Sequence, residues 1–490
     1  MRETHTAVVL FVGDRAYKLK KPVDLEFLDY TSVAARRTAC EREVELNRRF
    51  AADVYLGMGE IHTPDAEAPE PIVVMRRMPA DRRLSTLVRD GAAVDDVLRS
   101  VARQLAAHHA GAPRGPHVDE QGTRDALSAR WEASFAQVRA LDNDRLPDGA
   151  AEVERLVRRY LVSRKQLFDT RIEQGRIVDG HGDLLSDDIF CLDDGPRILD
   201  CLEFDDQLRY IDGLDDAAFL AMDLEHLGAP ESAAYFLARY GEYSGDPAPP
   251  SLWHHYVAYR AFVRAKVSLI QARQGAPGAQ AASRRLVSMA LRHLRTSAVC
   301  LTLVGGLPGS GKSTLSGALA DRLGVTLLSS DRLRKELAGI PAEESASAGY
   351  GEGLYTPERT HDTYAALLER ASALLSSGES VVLDATWSDT GQREAAHRVA
   401  ELAGADLVAL HCEVPGDVSA TRISTRISGA SDADLAVARA MAAKEPPWAE
   451  AITIDTSGSL ESAVVQALAA VRPWGTGQAP VFRRPYMEPD

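Results

Sequence analysis

The 490-residue sequence predicts two unlike folded parts. The first is an α+β part, with a small β-rich lobe followed by many helices. The second is an α/β part built on a parallel sheet. Three observations carry this. The chain is too long for one hydrophobic core, so two or three domains are expected. From Thr6 to Met78, short β-branched and aromatic runs flank a single helical pattern, and after Val94 the pattern turns helical. From Val299 onward, apolar strands alternate with helices, as a parallel sheet requires.

Composition narrows the class. The net charge of −15 argues against a general nucleic-acid binder and against a basic membrane-surface protein. The five cysteines, Cys40, Cys191, Cys201, Cys300 and Cys412, form no C-x-x-C pair, which reads as a reduced set rather than a disulfide framework or zinc site. No apolar run approaches the ~20 residues of a membrane span, and the start, MRETHTAVVLF, lacks the apolar region of a signal peptide. A soluble cytoplasmic protein without a membrane partner is expected.

In order, Thr6 to Phe11 and Arg15 to Lys20 read as strands joined by a turn at Gly13-Asp14, with Lys18 among apolar neighbours. Ser32 to Phe50 reads as a helix capped by Ser32 and carrying Glu43. Pro71 to Met78 is a third strand. Helices follow at Val94 to His109, Asp125 to Leu141 and Ala151 to Gln174. Ile177 to Glu203 alternates apolar segments with tight turns and concentrates carboxylates: Asp183 in His181-Gly182-Asp183, then Asp188, then Asp200. Such a set points to a divalent-cation and proton-transfer site, because Mg²⁺ takes oxygen ligands; singly, each acid equally suits a turn cap.

Helices are expected at Asp212 to Leu227, Ala233 to Tyr243, Leu252 to Arg273 and Ser283 to Thr296, with Gly275 to Ala282 small and flexible. On the long third helix of this set, Arg260, Arg264 and Lys266 suit either a pocket for an anionic or phosphorylated substrate or a solvated, salt-bridged face.

The second part opens on Val299 to Leu315, VCLTLVGGLPGSGKSTL. Gly306, Gly311, Lys312 and Ser313 fit G-x-x-x-x-G-K-[ST], the phosphate-binding P-loop. Glycines let bare amides wrap an anion at a helix N-terminus, so Gly306, Leu307, Pro308, Gly309, Ser310, Gly311, Lys312, Ser313 and Thr314 form the expected nucleotide cradle. Lys312 would reach the β- and γ-phosphates, and the Ser313 hydroxyl would ligate Mg²⁺. Asp384 ends the apolar strand VVLDAT, where a second Mg²⁺ ligand belongs. Asp331, ending the strand at Val325 to Ser329, suits the base that accepts a hydroxyl proton. Arg422 and Arg426, four apart on one helix face, suit a lid over the transferring phosphoryl group. The remaining helices and strands close near Ala470, and an irregular tail follows.

At these motifs the sequence becomes recognisable. GGLPGSGKST, SSD at Ser329 to Asp331, VVLDAT at Val381 to Thr386, and the arginine pair followed by ASDAD resemble the P-loop kinases related to gluconate kinase, polynucleotide 5′-kinase and zeta-toxin-like enzymes. AYKLKKPV, CEREVELNRR, HGDLLSDDIF and LDCLEFDD resemble the aminoglycoside phosphotransferase branch of the protein-kinase-like fold. The whole chain resembles the bifunctional aminoglycoside phosphotransferase/ATP-binding protein family. That implies a protein-kinase-like α+β domain over residues 1–296, an α/β P-loop NTPase domain over 297–472, and a tail over 473–490. It also implies ATP and Mg²⁺ as cofactors: Lys18 on the α/β-phosphates paired with Glu43, Asp183 as base, Asp188 and Asp200 on the metal, and Met75 to Met78 as the hinge beside adenine. Two departures stand out. The family loop HGDLH-x-x-N here has Leu185 for His and Asp188 for Asn. A glycine-rich phosphate loop is missing before Lys18, so Glu3 to Thr6 would have to serve, or the start is truncated.

The expectation is an ATP-dependent kinase that phosphorylates a small-molecule hydroxyl at the P-loop part, with a second phosphotransferase in the N-terminal part. The alternative makes the N-terminal part a ligand-sensing pseudokinase. A nucleic-acid-end kinase is disfavoured by the acidic balance. The sequence is silent on the acceptor and on oligomeric state, and fold does not make aminoglycosides the substrates.

Overall fold

The computed structural model describes residues 1–3, 6–25, 28–62, 68–141, 148–341, 344, 352–425, 435–443 and 446–471. The expected tail at 473–490 and Arg426 lie outside the described residues.

The N-terminal lobe is a five-stranded antiparallel sheet in the order Arg2–Glu3, Ala7–Val12, Arg15–Lys20, Glu70–Arg76, Tyr55–Ile61. The Gly13-Asp14 turn forms with Val12 opposite Arg15. The Tyr55–Ile61 strand is an addition to the expected set. Its sequence, YLGMGEI, carries Gly57 and Gly59, which weaken a strand pattern; pairing with Glu70–Arg76 holds it instead. Ser32 caps the Val33–Ala51 helix, its Oγ accepting the Ala35 N–H at 3.1 Å. The helix packs Cys40, Val44 and Ala51 against Val54 and against Tyr55 and Val73 of the sheet. Glu43 is thereby pressed against the lysine-bearing strand.

The helical lobe follows, with two corrections. The helix expected over 151–174 is two, Ala150–Leu161 and Lys165–Glu173. Arg164 between them is fully buried, and Arg164 Nη1 donates to the Ala403 carbonyl at 2.8 Å. Residues 275–282 are partly helical rather than loose, because the last helix begins at Ala279 after Gly278 at φ 76°. Two helices matter most for the site: Gly213–His226, capped by the Asp212 carboxylate, and Pro250–Arg273, whose aromatic face packs on Trp131 and Phe135.

The second sheet is five parallel strands in the order Thr326–Ser329, Val381–Asp384, Cys300–Gly305, Asp406–Glu413, Ile452–Asp455. The P-loop strand is central. The chain leaves it to one side and later crosses to the other, so the loop at its C-terminal end sits at a topological switch point, where open α/β sheets bind ligands.

The two parts share one apolar core. Leu252, Leu269 and Leu294 belong to the same buried cluster as Val299, Leu301, Leu375 and Trp387. Polar contacts reinforce the junction: Ser251 Oγ donates to the Gly378 carbonyl at 2.6 Å, and Arg159 pairs with Asp406 at 2.7 Å. Among the described residues no helix is long and apolar enough to cross a membrane, and none of the five cysteines is in a disulfide.

Candidate functional site

The P-loop turn runs from Gly305, at the end of its strand, to Gly311, which precedes the Lys312–Leu323 helix. Ser310 N–H closes the turn on the Leu307 carbonyl at 3.1 Å, with Pro308 and Gly309 between them. Gly309 has φ 80°, and a Cβ there would lie 2.7 Å from the Ser419 carbonyl. Only glycine fits such a wrap. Ser313 and Thr314 follow in the first helical turn.

Lys312 is 8 % exposed and acts electrostatically on Asp384. Burial pushes the Asp384 carboxyl up; Lys312 and the Ser313 and Ser329 hydroxyls pull it down, and Asp331 pushes it up again. Ser329 Oγ donates to Asp384 Oδ2 at 3.3 Å, whereas Oδ1 is buried without a hydrogen-bond partner among the described residues. A buried, unsatisfied carboxylate oxygen beside the P-loop serine is an all-oxygen donor set that fits Mg²⁺. Asp331 is displaced from its expected place at a strand end: it lies in the first turn of the Ser330–Leu337 helix, still close enough to influence Asp384.

Arg422 lies on the Gly416–Ser424 helix. Its Nη2 donates to the Thr456 carbonyl at 2.7 Å. Its Nη1 is buried without a hydrogen-bond partner among the described residues and would stand 3.2 Å from a Cβ at Gly311. Arg422 therefore points at the P-loop. Thr456 carries no signal in the local sequence. Its Oγ1 donates to the Ser310 carbonyl at 2.5 Å, and only the sheet order, which puts the last strand next to Asp406–Glu413 and so one strand away from the P-loop strand, brings it there.

In the N-terminal part, Lys18 Nζ lies 2.8 Å from Glu43 Oε1 and 2.6 Å from Asp200 Oδ1. Lys20, two residues on and so on the same strand face, reaches Glu43 Oε2 at 2.6 Å and also pairs with Glu203. Tyr30 donates to Glu203 at 3.2 Å. Lys20, Tyr30 and Glu203 are thus additions to the expected pair. Burial would raise the Glu43 carboxyl, but the two lysines hold it below its ordinary value. Lys18 likewise holds Asp200 low.

Asp200 has φ 66°, a left-handed conformation that a non-glycine residue adopts at a cost of order 1 kcal/mol. Its surroundings enforce it. Asp200 N–H donates to Tyr55 Oη at 3.2 Å, Cys201 N–H to Asn47 Oδ1 at 2.8 Å, and Leu202 N–H to the His181 carbonyl at 3.1 Å.

The His181-Gly182-Asp183 loop is clamped from below. Asp216 Oδ2 accepts the His181 N–H at 2.7 Å and lies 3.0 Å from His109 Nε2, and Oδ1 accepts the Gly182 N–H at 3.0 Å. Asp223 Oδ2 accepts Ser186 N–H at 2.9 Å and its hydroxyl at 2.5 Å. Burial pushes the Asp183 carboxyl up to about 6, against the pull of Arg264. Asp188 rises well above its ordinary value through burial and the neighbouring Asp200 and Asp183 charges. Among the described residues no three His, Cys, Asp or Glu side chains converge on a metal-holding point. A carboxylate pair still fits Mg²⁺, which commonly takes one or two carboxylates plus substrate phosphates. Met75 and Met78, at the expected hinge, pack on the cluster around Val73.

A family model described as an AAA domain matches residues 301–447. Over 468 residues the chain is 44% identical to the uncharacterized protein Rv2004c of Mycobacterium tuberculosis, covering 95% of this chain and 94% of that protein. The same figures hold for the uncharacterized protein Mb2027c of Mycobacterium bovis. The chain belongs to the family of these mycobacterial proteins. Its C-terminal part is a P-loop domain, matched by the AAA-domain model. Among solved structures, a gluconokinase from Sinorhizobium meliloti 1021 is 20% identical and covers 36% of this chain and 93% of that chain, with a TM-score of 0.27. The GDP and kanamycin complex of APH(2")-IIia is 15% identical and covers 59% of this chain and 91% of that chain, with a TM-score of 0.40.

Proposed function

We propose that the protein is an ATP-dependent phosphotransferase whose P-loop domain, residues 297–472, transfers the γ-phosphoryl group to a hydroxyl of a small molecule. The observation that carries this is the convergence of buried Lys312, Ser313 and the unsatisfied Asp384 oxygen at the mouth of a glycine loop. The loop amides and Lys312 hold the triphosphate. Ser313 and Asp384 are the oxygen donors for Mg²⁺, which when bound neutralises charge on the β- and γ-phosphate oxygens. Asp331 accepts the proton from the acceptor hydroxyl, and Arg422 with Arg426 stabilises charge on the transferring group. Residues 1–296 are a second phosphotransferase, with Lys18 on the nucleotide phosphates, Asp183 as base, and Asp188 and Asp200 as metal ligands.

Lys312→Ala is expected to abolish C-terminal ATP turnover with the fold intact, and Asp183→Asn to remove only N-terminal transfer. Labelled ATP supplied with sugars, aminosugars and nucleosides reads both. Full turnover in the double variant would refute both assignments. The Lys18–Asp200 contact favours a second reading, an N-terminal regulatory module without catalysis: there the contact persists, and Mg-ATP leaves the N-terminal part unliganded in a nucleotide titration.

A further inference from the structure

We infer that the acceptor of the N-terminal site carries an anionic group, a phosphate or a carboxylate, held by Arg264 beside Asp183. This rests on the reading of Asp183 as the base of a phosphotransferase.

The helix that carries the clamping acids, Gly213–His226, packs against the arginine-bearing helix Pro250–Arg273. Arg260 locks the two together, its Nε and Nη2 donating to Asp215 at 2.7 and 2.9 Å, with Phe219 and Tyr259 flanking the guanidinium. Arg264 is one turn further along the same face. It is half-buried and has no ion pair or hydrogen bond among the described residues. The Asp183 loop is fixed to the same clamping helix through Asp216 and Asp223. Arg264 is accordingly the strongest cationic influence on the partly exposed Asp183 carboxyl, and together with Arg285 it also acts on His226, one turn from Asp223.

The acids nearby are already committed. Asp215 is paired with Arg260, Asp216 with His109 and two backbone N–H groups, and Asp223 with Ser186. None of these three is left over to neutralise the ammonium groups of an aminosugar. The charge that acts on Asp183 without an ion pair among the described residues is a guanidinium, whose planar fork matches a carboxylate or a phosphate. A half-buried arginine beside the base would repel a polycation and orient an anion.

The test uses the full chain with Lys312→Ala, loaded with a non-hydrolysable ATP analogue and Mg²⁺, and calorimetric titration with glucose 6-phosphate, gluconate, glucose and kanamycin. At least one of the two anions is expected to bind at least tenfold more tightly than glucose, and kanamycin not at all. Tighter binding of glucose 6-phosphate than gluconate identifies a phosphate site, and the reverse a carboxylate site. Arg264→Gln is expected to weaken anion binding at least tenfold and analogue binding less than twofold, and Arg264→Lys to restore part of the loss. Kanamycin binding as tightly as the anions, absence of anion binding, or an unchanged affinity in Arg264→Gln overturns the inference. Failure of the phosphotransferase reading shows separately, as loss of analogue binding at the N-terminal part.

Discussion

Lys18 Nζ stands 2.6 Å from Asp200 Oδ1, so the cation assigned to the nucleotide and the carboxylate assigned to the metal hold each other. On the proposed assignments, a nucleotide bound with its cation would separate them. The neighbouring Lys20 acts differently. Nearly fully buried, it neutralises Glu43 and Glu203. In the Lys312→Ala chain, Lys18→Met is expected to weaken N-terminal nucleotide binding at least tenfold with little loss of stability. Lys20→Met leaves buried carboxylate charge uncompensated and is expected to cost about 3–5 kcal/mol, read from urea unfolding. The opposite pattern would exchange the roles of the two lysines.

Asp216 touches no reacting atom in the proposed site, yet it carries the loop that presents Asp183. Asp216→Asn keeps the shape but turns an NH₂ toward one of the three donors. Loss of a charge-assisted buried bond costs roughly 1–3 kcal/mol, and the displaced loop is expected to lower N-terminal phosphate transfer at least tenfold while KM for ATP changes less than threefold. An unchanged turnover number would separate the clamp from the chemistry.

How much of this was legible follows from where each signal resides. The P-loop and HGDLLSDDIF are readable because phosphate and metal chemistry demand those residue types at close spacing. Lys20, Asn47, Asp216 and Thr456 act through partners far away in sequence; Asn47 meets Cys201 across 154 positions, and no local pattern announces that. The Tyr55–Ile61 strand was hidden by its two glycines. The break at Arg164 was hidden because its cause, the Ala403 carbonyl, belongs to the other part of the chain. The alternatives for the arginines on the long helix divide: Arg260 is salt-bridged, while Arg264 makes no ion pair among the described residues.

The glycine loop allows a sharper probe than removal of Lys312. At Gly309 a methyl group would meet the Ser419 carbonyl, at a φ that costs an L-residue about 1–2 kcal/mol. Gly309→Ala is expected to reopen or tilt the loop and reduce C-terminal ATP turnover at least a hundredfold, with Lys312 still present. Turnover within threefold of the parent would mean that the loop's wrap is not what holds the triphosphate.

Stability should depend on pH through His255. Burial lowers its imidazole to about 3. Trp131 Nε1–H donates to its Nε2 at 3.2 Å, and Tyr160 stacks on the ring at 4.4 Å. The folded value lies below the unfolded value of about 6.5, so the unfolded chain takes up the proton first. The contribution is complete above about pH 6.5 and shrinks as pH falls toward the folded value. Between pH 6.5 and 5 that amounts to about 2 kcal/mol. Urea unfolding at pH 7.5 and pH 5 is expected to show the difference between the parent and His255→Gln narrowing by about that much; a difference independent of pH would place the ring's proton elsewhere.

The junction between the two parts should behave as core rather than as a hinge. Gly404 turns at φ 58° between the Thr390–Leu402 helix and the next strand, and a Cβ there would lie 2.7 Å from the Arg159 carbonyl. Gly404→Ala therefore drives the turn away from Arg159 and strains the Arg164 and Ser163 hydrogen bonds to Ala403. Because Leu294 and Leu301 share one apolar cluster with Trp387, the parent chain is expected to unfold in a single cooperative transition. Gly404→Ala should lower that midpoint and split the transition in two, with trypsin cutting first at the loosened junction. Two transitions already in the parent would mean that the shared cluster does not couple the parts.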